Sequence, residues 1–159
     1  MSKAVLISIR PKWCALIASG QKTVEIRKAM PNAILPLKCY IYQTLPKSGD
    51  WNERDGRVIG EFVCHNITRF DVPFPAYWDQ VDKATLDAAC LKYGEAHNYL
   101  GHRTGWAWHI SDLVIYDKPK ELSEFRSWNT GVVFEDGYPM PTHEIKRPPQ
   151  SWMYVEELT

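Results

Sequence analysis

A chain of 159 residues, 45% hydrophobic and 24% charged, is long enough for one compact domain with a real core and too apolar to be a disordered one. Its 19 Lys and Arg balance 19 Asp and Glu, which argues against a generic polyanion binder. Aromatic content is high at 13%, with 7 Trp and 8 Tyr, residue types that serve cores and stacking surfaces alike.

The even total conceals a gradient. Residues 1–49 carry eight Lys and Arg against one acid, Glu25, while residues 50–159 carry eleven against eighteen. This asymmetry predicts a basic face on a neutral molecule, unless folding intermixes the two halves. The four cysteines, at 14, 39, 64 and 90, form no C-x-x-C pair, and each adjoins apolar residues as buried free thiols do. No leader peptide or membrane span is visible, so a reducing, cytoplasmic setting is expected, with a disulfide left open by the spacing. His97, His102 and His109, with Cys90, match no common zinc spacing. No P-loop, dinucleotide fingerprint or nucleophile elbow occurs, and no metal or cofactor is expected.

In chain order, residues 4–9 alternate well enough for a first strand. Pro11 then opens a helix, where a missing N–H costs nothing, and Gly20 closes it. Arg10 and Lys12 flank the helix start, where the dipole favours anions. They are read first as two exposed basic side chains, and alternatively as a seat for a phosphate. Residues 22–28 predict a second strand and residues 38–43 a third, with Tyr40 and Tyr42 on one face and Cys39 and Ile41 on the other. Residues 44–57 read as a breaker-rich loop carrying Lys47, Trp51, Arg54 and Arg57, either an ordinary loop or a flap suited to a nucleic-acid strand. A long strand is predicted over 58–67, with Gly60 marking a bulge or bend. An irregular stretch follows over 70–82. A helix is predicted over 84–93, stopped by Gly94. His97 and His102 fall in a polar link. A strand follows over 106–116, bent near Ser111 and Asp112, with Trp106, Trp108 and Ile110 on one face. A short helix over 122–128, a hairpin around Asp136-Gly137 and a closing strand over 152–156 complete the order.

The most informative run is Gly20-Gln-Lys-Thr-Val-Glu-Ile-Arg-Lys28. Period two places Val24 and Ile26 on one face and Thr23, Glu25 and Arg27 on the other, with Lys22 at the mouth of the strand. Alternation of this kind commonly marks a strand with one wet face. The sharper reading is a polar cleft floor for an anionic, hydrogen-bonding ligand.

Gly20, Lys22, Glu25 and Arg27 reproduce a G-x-K-x-x-E-x-R pattern that resembles the signature of the ASCH domain, a relative of the PUA domain. Residues 8–12, 40–43, 58–63, 106–116 and 149–155 are similar to the same family. The resemblance implies an α+β fold: a mixed, mainly antiparallel PUA-like β-barrel with flanking short helices. It implies one domain over residues 1–159, with a family-atypical insertion around 128–147. The family's roles cluster around RNA and nucleosides. The leading expectation is therefore a monomer that binds single-stranded RNA or a nucleoside through Arg10, Lys12, Lys22, Thr23, Glu25 and Arg27, with Tyr42 or Trp51 stacking on a base.

One family branch resembles an amidohydrolase of N4-acetylcytidine that uses a Lys, a Thr nucleophile and an acid before the later helix. Lys22 matches the Lys and Asp82 the acid, but Glu25 stands where the Thr is expected. A carboxylate attacking an amide would give a reactive anhydride, so Glu25 would have to serve as a general base on water. Another branch looks like metal-independent ribonucleases, for which Lys22, Glu25, Arg27 and Tyr42, and less directly Lys47 and Ser127, are candidates. An interaction module without a nucleic-acid role is the remaining alternative.

Overall fold

The computed structural model describes residues 2–128, 135–137 and 143–159. The chain runs β1 (Lys3–Ile9), α1 (Pro11–Ala18), β2 (Val24–Arg27), β3 (Leu37–Gln43), β4 (Arg57–Cys64), β5 (Ile67–Phe70), a 3-10 helix (Pro75–Gln80), α2 (Lys83–Ala89), α3 (Tyr93–Leu100), β6 (Gly105–His109), β7 (Ser111–Lys120), a 3-10 turn (Leu122–Glu124) and β8 (Trp152–Glu156). β1 and β3 pair in parallel and the other ladders are antiparallel, as a mixed α+β fold requires. Strand pairing does not close a barrel among the described residues. It makes two sheets, one ordered β7-β4-β3-β1-β8 and one ordered β2-β6-β5.

The sequence dictates how these sheets stack. Val5, Ile7 and Ile9 alternate with Ala4 and Leu6 along β1 and enter two different apolar clusters. The large sheet is thus covered on both faces. One cover joins Val5, Ile7 and Ile9 to Cys14 and Ile17 of α1, to Phe62, and to Trp108 of the small sheet. The other joins Leu6, Tyr40 and Tyr42 to Phe125, Ile145 and Val155. A third cluster packs Val24, Ile26 and Ala107 of the small sheet under Leu86, Ala89, Ala96 and Leu100 of α2 and α3. Burying each large side chain contributes roughly 1.5–3 kcal/mol, so these layers supply most of the cohesion.

Several boundaries depart from the sequence reading. The long strand expected over 58–67 is broken after Cys64, and β5 joins the other sheet. Gly60 sits where a Cβ would collide with the Val114 carbonyl, so the close approach of β7 demands glycine. The expected helix over 84–93 ends earlier, at Cys90, whose left-handed backbone (φ 57°) makes the stop expected of Gly94. Gly94 instead lies inside α3, whose start is held by the Glu95 side chain accepting from the Lys92 N–H. His97 therefore belongs to a helix and not to a link. The bend expected in the 106–116 strand is a full break: Asp112 takes φ 51°, and β6 and β7 fall in different sheets. The 122–128 helix is a single 3-10 turn. Most of the hairpin expected around residues 130–140 lies outside the described residues.

Candidate functional site

α1 begins with Pro at its first position and ends at Gly20, whose φ of +82° turns the chain back toward β2. The Lys22 N–H donates to the Leu16 carbonyl and the Thr23 N–H to the Ala88 carbonyl, which ties the start of the motif to α1 and α2. β2 then pairs with β6, setting Glu25 opposite Trp108 and Arg27 opposite Trp106. Val24 and Ile26 enter the layer under α2 and α3. Glu25 and Arg27 must therefore point the other way, into the space between the two sheets. Every residue of β2 is buried.

Lys22, Glu25 and Arg27 converge there. Glu25 lies between the two cations, 3.8 Å from Lys22 Nζ and 3.5 Å from Arg27 Nε. Lys22 is only 3% exposed and donates to the Ala89 carbonyl at 2.6 Å. Its ammonium also stands 5.0 Å from the centre of the Trp13 ring. Arg27 Nη2 donates to the Ser8 carbonyl at 2.6 Å, and Nη1 donates to Ser151 Oγ at 3.2 Å. Burial pushes the Lys22 ammonium below its ordinary pKa, with Glu25 opposing that shift. Burial also raises the Cys14 thiol, reinforced by the Glu25 charge and countered by Arg27. Tyr99 on α3 is raised by burial too, and feels the same two charges.

Two polar atoms in this cluster have no hydrogen-bond partner although both are buried: Glu25 Oε2 and Arg27 Nε. Buried polar groups are almost always satisfied, and leaving one orphaned costs about 1–3 kcal/mol. The three charges also sum to one positive. A ligand that carries negative charge, accepts from Arg27 Nε and donates to Glu25 Oε2 would answer these deficits. Trp13, Trp106 and Trp152 pack partly buried against the same layer and offer aromatic surface beside the charges.

The other candidates are dispersed. Thr23 precedes β2 and is exposed, so the strand face carries Glu25 and Arg27 without it. Arg10 and Lys12 are exposed at the head of α1, with Lys12 Nζ 3.9 Å from Glu95. Tyr42 is 6% exposed and packs on the far side of the large sheet. Trp51 is 62% exposed in the loop before β4. Asp82 caps α2: its carboxylate accepts from the Thr85 hydroxyl at 2.7 Å and from the Thr85 N–H at 3.2 Å. The hydroxyl and then the backbone bond hold that carboxyl below its usual pKa. Lys47 is exposed, and Ser127 Oγ accepts from the His143 N–H at 3.0 Å. Sequence reasoning did not anticipate Ser8, Ser151 or the Ala89 carbonyl, because two of these contacts are made by backbone. Among the described residues no group of His, Cys, Asp and Glu could hold a metal ion, and the four cysteines are free thiols.

Lys22, Glu25 and Arg27 thus form a buried, net-cationic cluster flanked by tryptophans, on an α+β fold of two stacked sheets. The chain belongs to the ASCH domain family, whose model matches residues 7–135. That family is generally linked to RNA binding. Among solved structures the fold is similar to the ASCH protein of Zymomonas mobilis, at 21% identity and a TM-score of 0.58, covering 97% of this chain and 88% of that one. Structures of two mutants of the Zymomonas mobilis protein align equally well, each at 21% identity and a TM-score of 0.58. The first covers 98% of this chain and 92% of that one, the second 97% and 89%. A search of curated protein sequences finds no match.

Proposed function

We propose that the protein binds single-stranded RNA or a nucleotide through Lys22, Glu25 and Arg27. The carrying observation is the pair of buried atoms without a hydrogen bond, Glu25 Oε2 and Arg27 Nε, inside a cluster of ion pairs with one excess positive charge. Arg27 and Lys22 are donors for phosphate or a base carbonyl, and Glu25 accepts from an amino or imino edge. Lys12 and Arg10 extend the cationic surface outward at the head of α1. Trp51 is open enough to stack on a base, whereas Tyr42 is committed to the core. Four free thiols suit a reducing compartment, and no helix among the described residues is long and apolar enough to cross a membrane.

Titration of single-stranded RNA at two salt concentrations tests this reading. Binding at low salt should weaken as salt rises, with a log–log slope of about −0.7 per phosphate engaged. Glu25→Ala and Arg27→Ala should each weaken binding about tenfold or more, as loss of a charged hydrogen bond predicts. Absence of binding at low salt, or binding by both variants as tight as by the wild type, refutes it.

One observation favours a second reading, hydrolysis of an acylated nucleoside such as N4-acetylcytidine. Lys22 is desolvated and lies beside a carboxylate, the setting that prepares a lysine for proton transfer. Glu25 would activate water and Lys22 would hold the developing oxyanion, with Asp82 left to its helix cap. Acetate release from N4-acetylcytidine that disappears in Lys22→Ala supports it. No release with protein in molar excess excludes that substrate.

A further inference from the structure

The face of α1 turned away from Trp13 borders a cavity of about 370 Å3. Pro11, Ala15 and Ala18 line it at helical spacing, and Ile59 of β4 and Ile115 of β7 complete its apolar wall. Its size falls within the ~300–1,000 Å3 of small-ligand clefts. None of the described residues that line it is aromatic, so it gives a flat ring nothing to stack on. Its apolar part suits a branched aliphatic body.

Three polar side chains line the same cavity: Gln43, Asn52 and Arg54. Gln43 is only 6% exposed. Its Nε2 donates to Asp55 Oδ1 at 2.8 Å, and a carboxylate only accepts, so the Gln43 oxygen is the atom left over. No described residue donates to that oxygen. Carbonyls this deep are normally satisfied, so this one calls for a donor from outside the chain. Arg54 is half-buried, and its guanidinium has no hydrogen bond or ion pair with another described residue. Asn52 Oδ1 accepts from the Arg54 N–H at 2.8 Å, which leaves the Asn52 amide nitrogen free to donate. The Asn52 N–H donates to Asp55 Oδ2 at 2.9 Å, so Asp55 steadies both Gln43 and the turn that carries Arg54.

An aliphatic wall thus meets a cation, an amide donor and a buried acceptor. A guanidinium is best matched by a planar anion such as a carboxylate. The Gln43 oxygen asks for an N–H. A free ammonium in that place would lose its water and face the charge of Arg54, whereas a neutral amide would not. We infer that the cavity binds a small N-acylated aliphatic amino acid. Its carboxylate lies on Arg54 and Asn52, its amide N–H donates to Gln43 Oε1, and its branched side chain lies against Ala15, Ala18, Ile59 and Ile115. The inference uses none of Lys22, Glu25 and Arg27, so it stands or falls apart from the RNA titration.

The test is calorimetry on the intact protein with N-acetyl-L-leucine, N-acetyl-L-leucinamide and 4-methylpentanoate. The second lacks the carboxylate and the third lacks the N–H. N-acetyl-L-leucine should bind, and each analogue should bind about tenfold weaker, as loss of one buried hydrogen bond predicts. Arg54→Gln should weaken N-acetyl-L-leucine about tenfold, and Ala18→Trp should abolish its binding. Ala18 is exposed, so a large side chain there fills the cavity and leaves the core intact, and Arg54→Gln in its loop gives an independent answer. Absence of binding at millimolar N-acetyl-L-leucine, equal binding of acid and amide, or binding that survives both variants overturns the inference. Displacement by a ribonucleoside 5′-monophosphate overturns it too and gives the cavity to a nucleotide. Tighter binding of acetyl-Gly-Gly-Leu overturns the small-molecule assignment in favour of a peptide C-terminus.

Discussion

Glu25 stands between two cations in a place where water does not reach its second oxygen. Lys22 feels that confinement most. Its folded-state pKa lies below the ordinary value of 10.5, so the unfolded chain holds the proton more tightly than the native protein does. The sign follows from linkage. In the window between the lowered pKa and 10.5 the unfolded state binds more protons, and stability rises as pH rises. Below the lowered pKa the charged lysine weighs against folding in full. In urea denaturation from neutral to alkaline pH, the stability of the wild type relative to Lys22→Met should increase with pH. A constant difference would mean that Lys22 is not desolvated. The residue types of the triad were legible in the sequence, because the order Gly20, Lys22, Glu25, Arg27 is distinctive. Their burial was not. Alternation of charged and apolar residues ordinarily means one face in water, and nothing in the local pattern says that a second sheet covers the polar face.

Elements show the same division between what is local and what is not. α1, β2, β3 and β8 follow from Pro11, Gly20 and period-two alternation, and each lies within two residues of its expected bounds. The helix after Asp82 was harder, because a cysteine took the left-handed conformation for which glycine is the usual choice, and the true glycine lay inside the next helix. β6 and β7 read as one strand since their apolar pattern continues across the break at Ile110. Asp82 belongs to this scale. It satisfies the start of α2, so Asp82→Ala should cost about 1 kcal/mol of stability in thermal or urea unfolding. Its carboxyl is held below its usual pKa, so that contribution is present above about 3.8 and is lost as pH falls through the lowered value. RNA affinity of Asp82→Ala at neutral pH should match the wild type. Lost affinity would assign Asp82 to the site after all.

At the scale of the molecule, the two sheets enclose a layer that is apolar at Phe62 and Trp108 and charged at Lys22, Glu25 and Arg27. Composition led to the expectation of a compact domain with a real core, and the family resemblance supplied the α+β arrangement. Neither predicted that pairing would part the strands into two sheets. That division depends on partners distant in the chain: β2 pairs with residues 106–109, and β1 with residues 152–156. The gradient of charge along the chain is partly undone by such pairings, as where Lys38 bonds Glu61 and Lys12 approaches Glu95. Arg10 and Lys47 are among the cations of the basic half that enter none of these pairs, and both are exposed.

β1 has a neighbour on both sides, and one of them is β8, with Lys3 opposite Glu156 and Ile7 opposite Trp152. β1 is thus made well before β8, the strand that seals its edge. Until β8 follows, a hydrophobic ribbon with bare N–H and C=O groups is open to any other nascent chain. Production of this protein should depend on chaperones that shield such an edge, and removal of β8 should lower its solubility in a sedimentation assay.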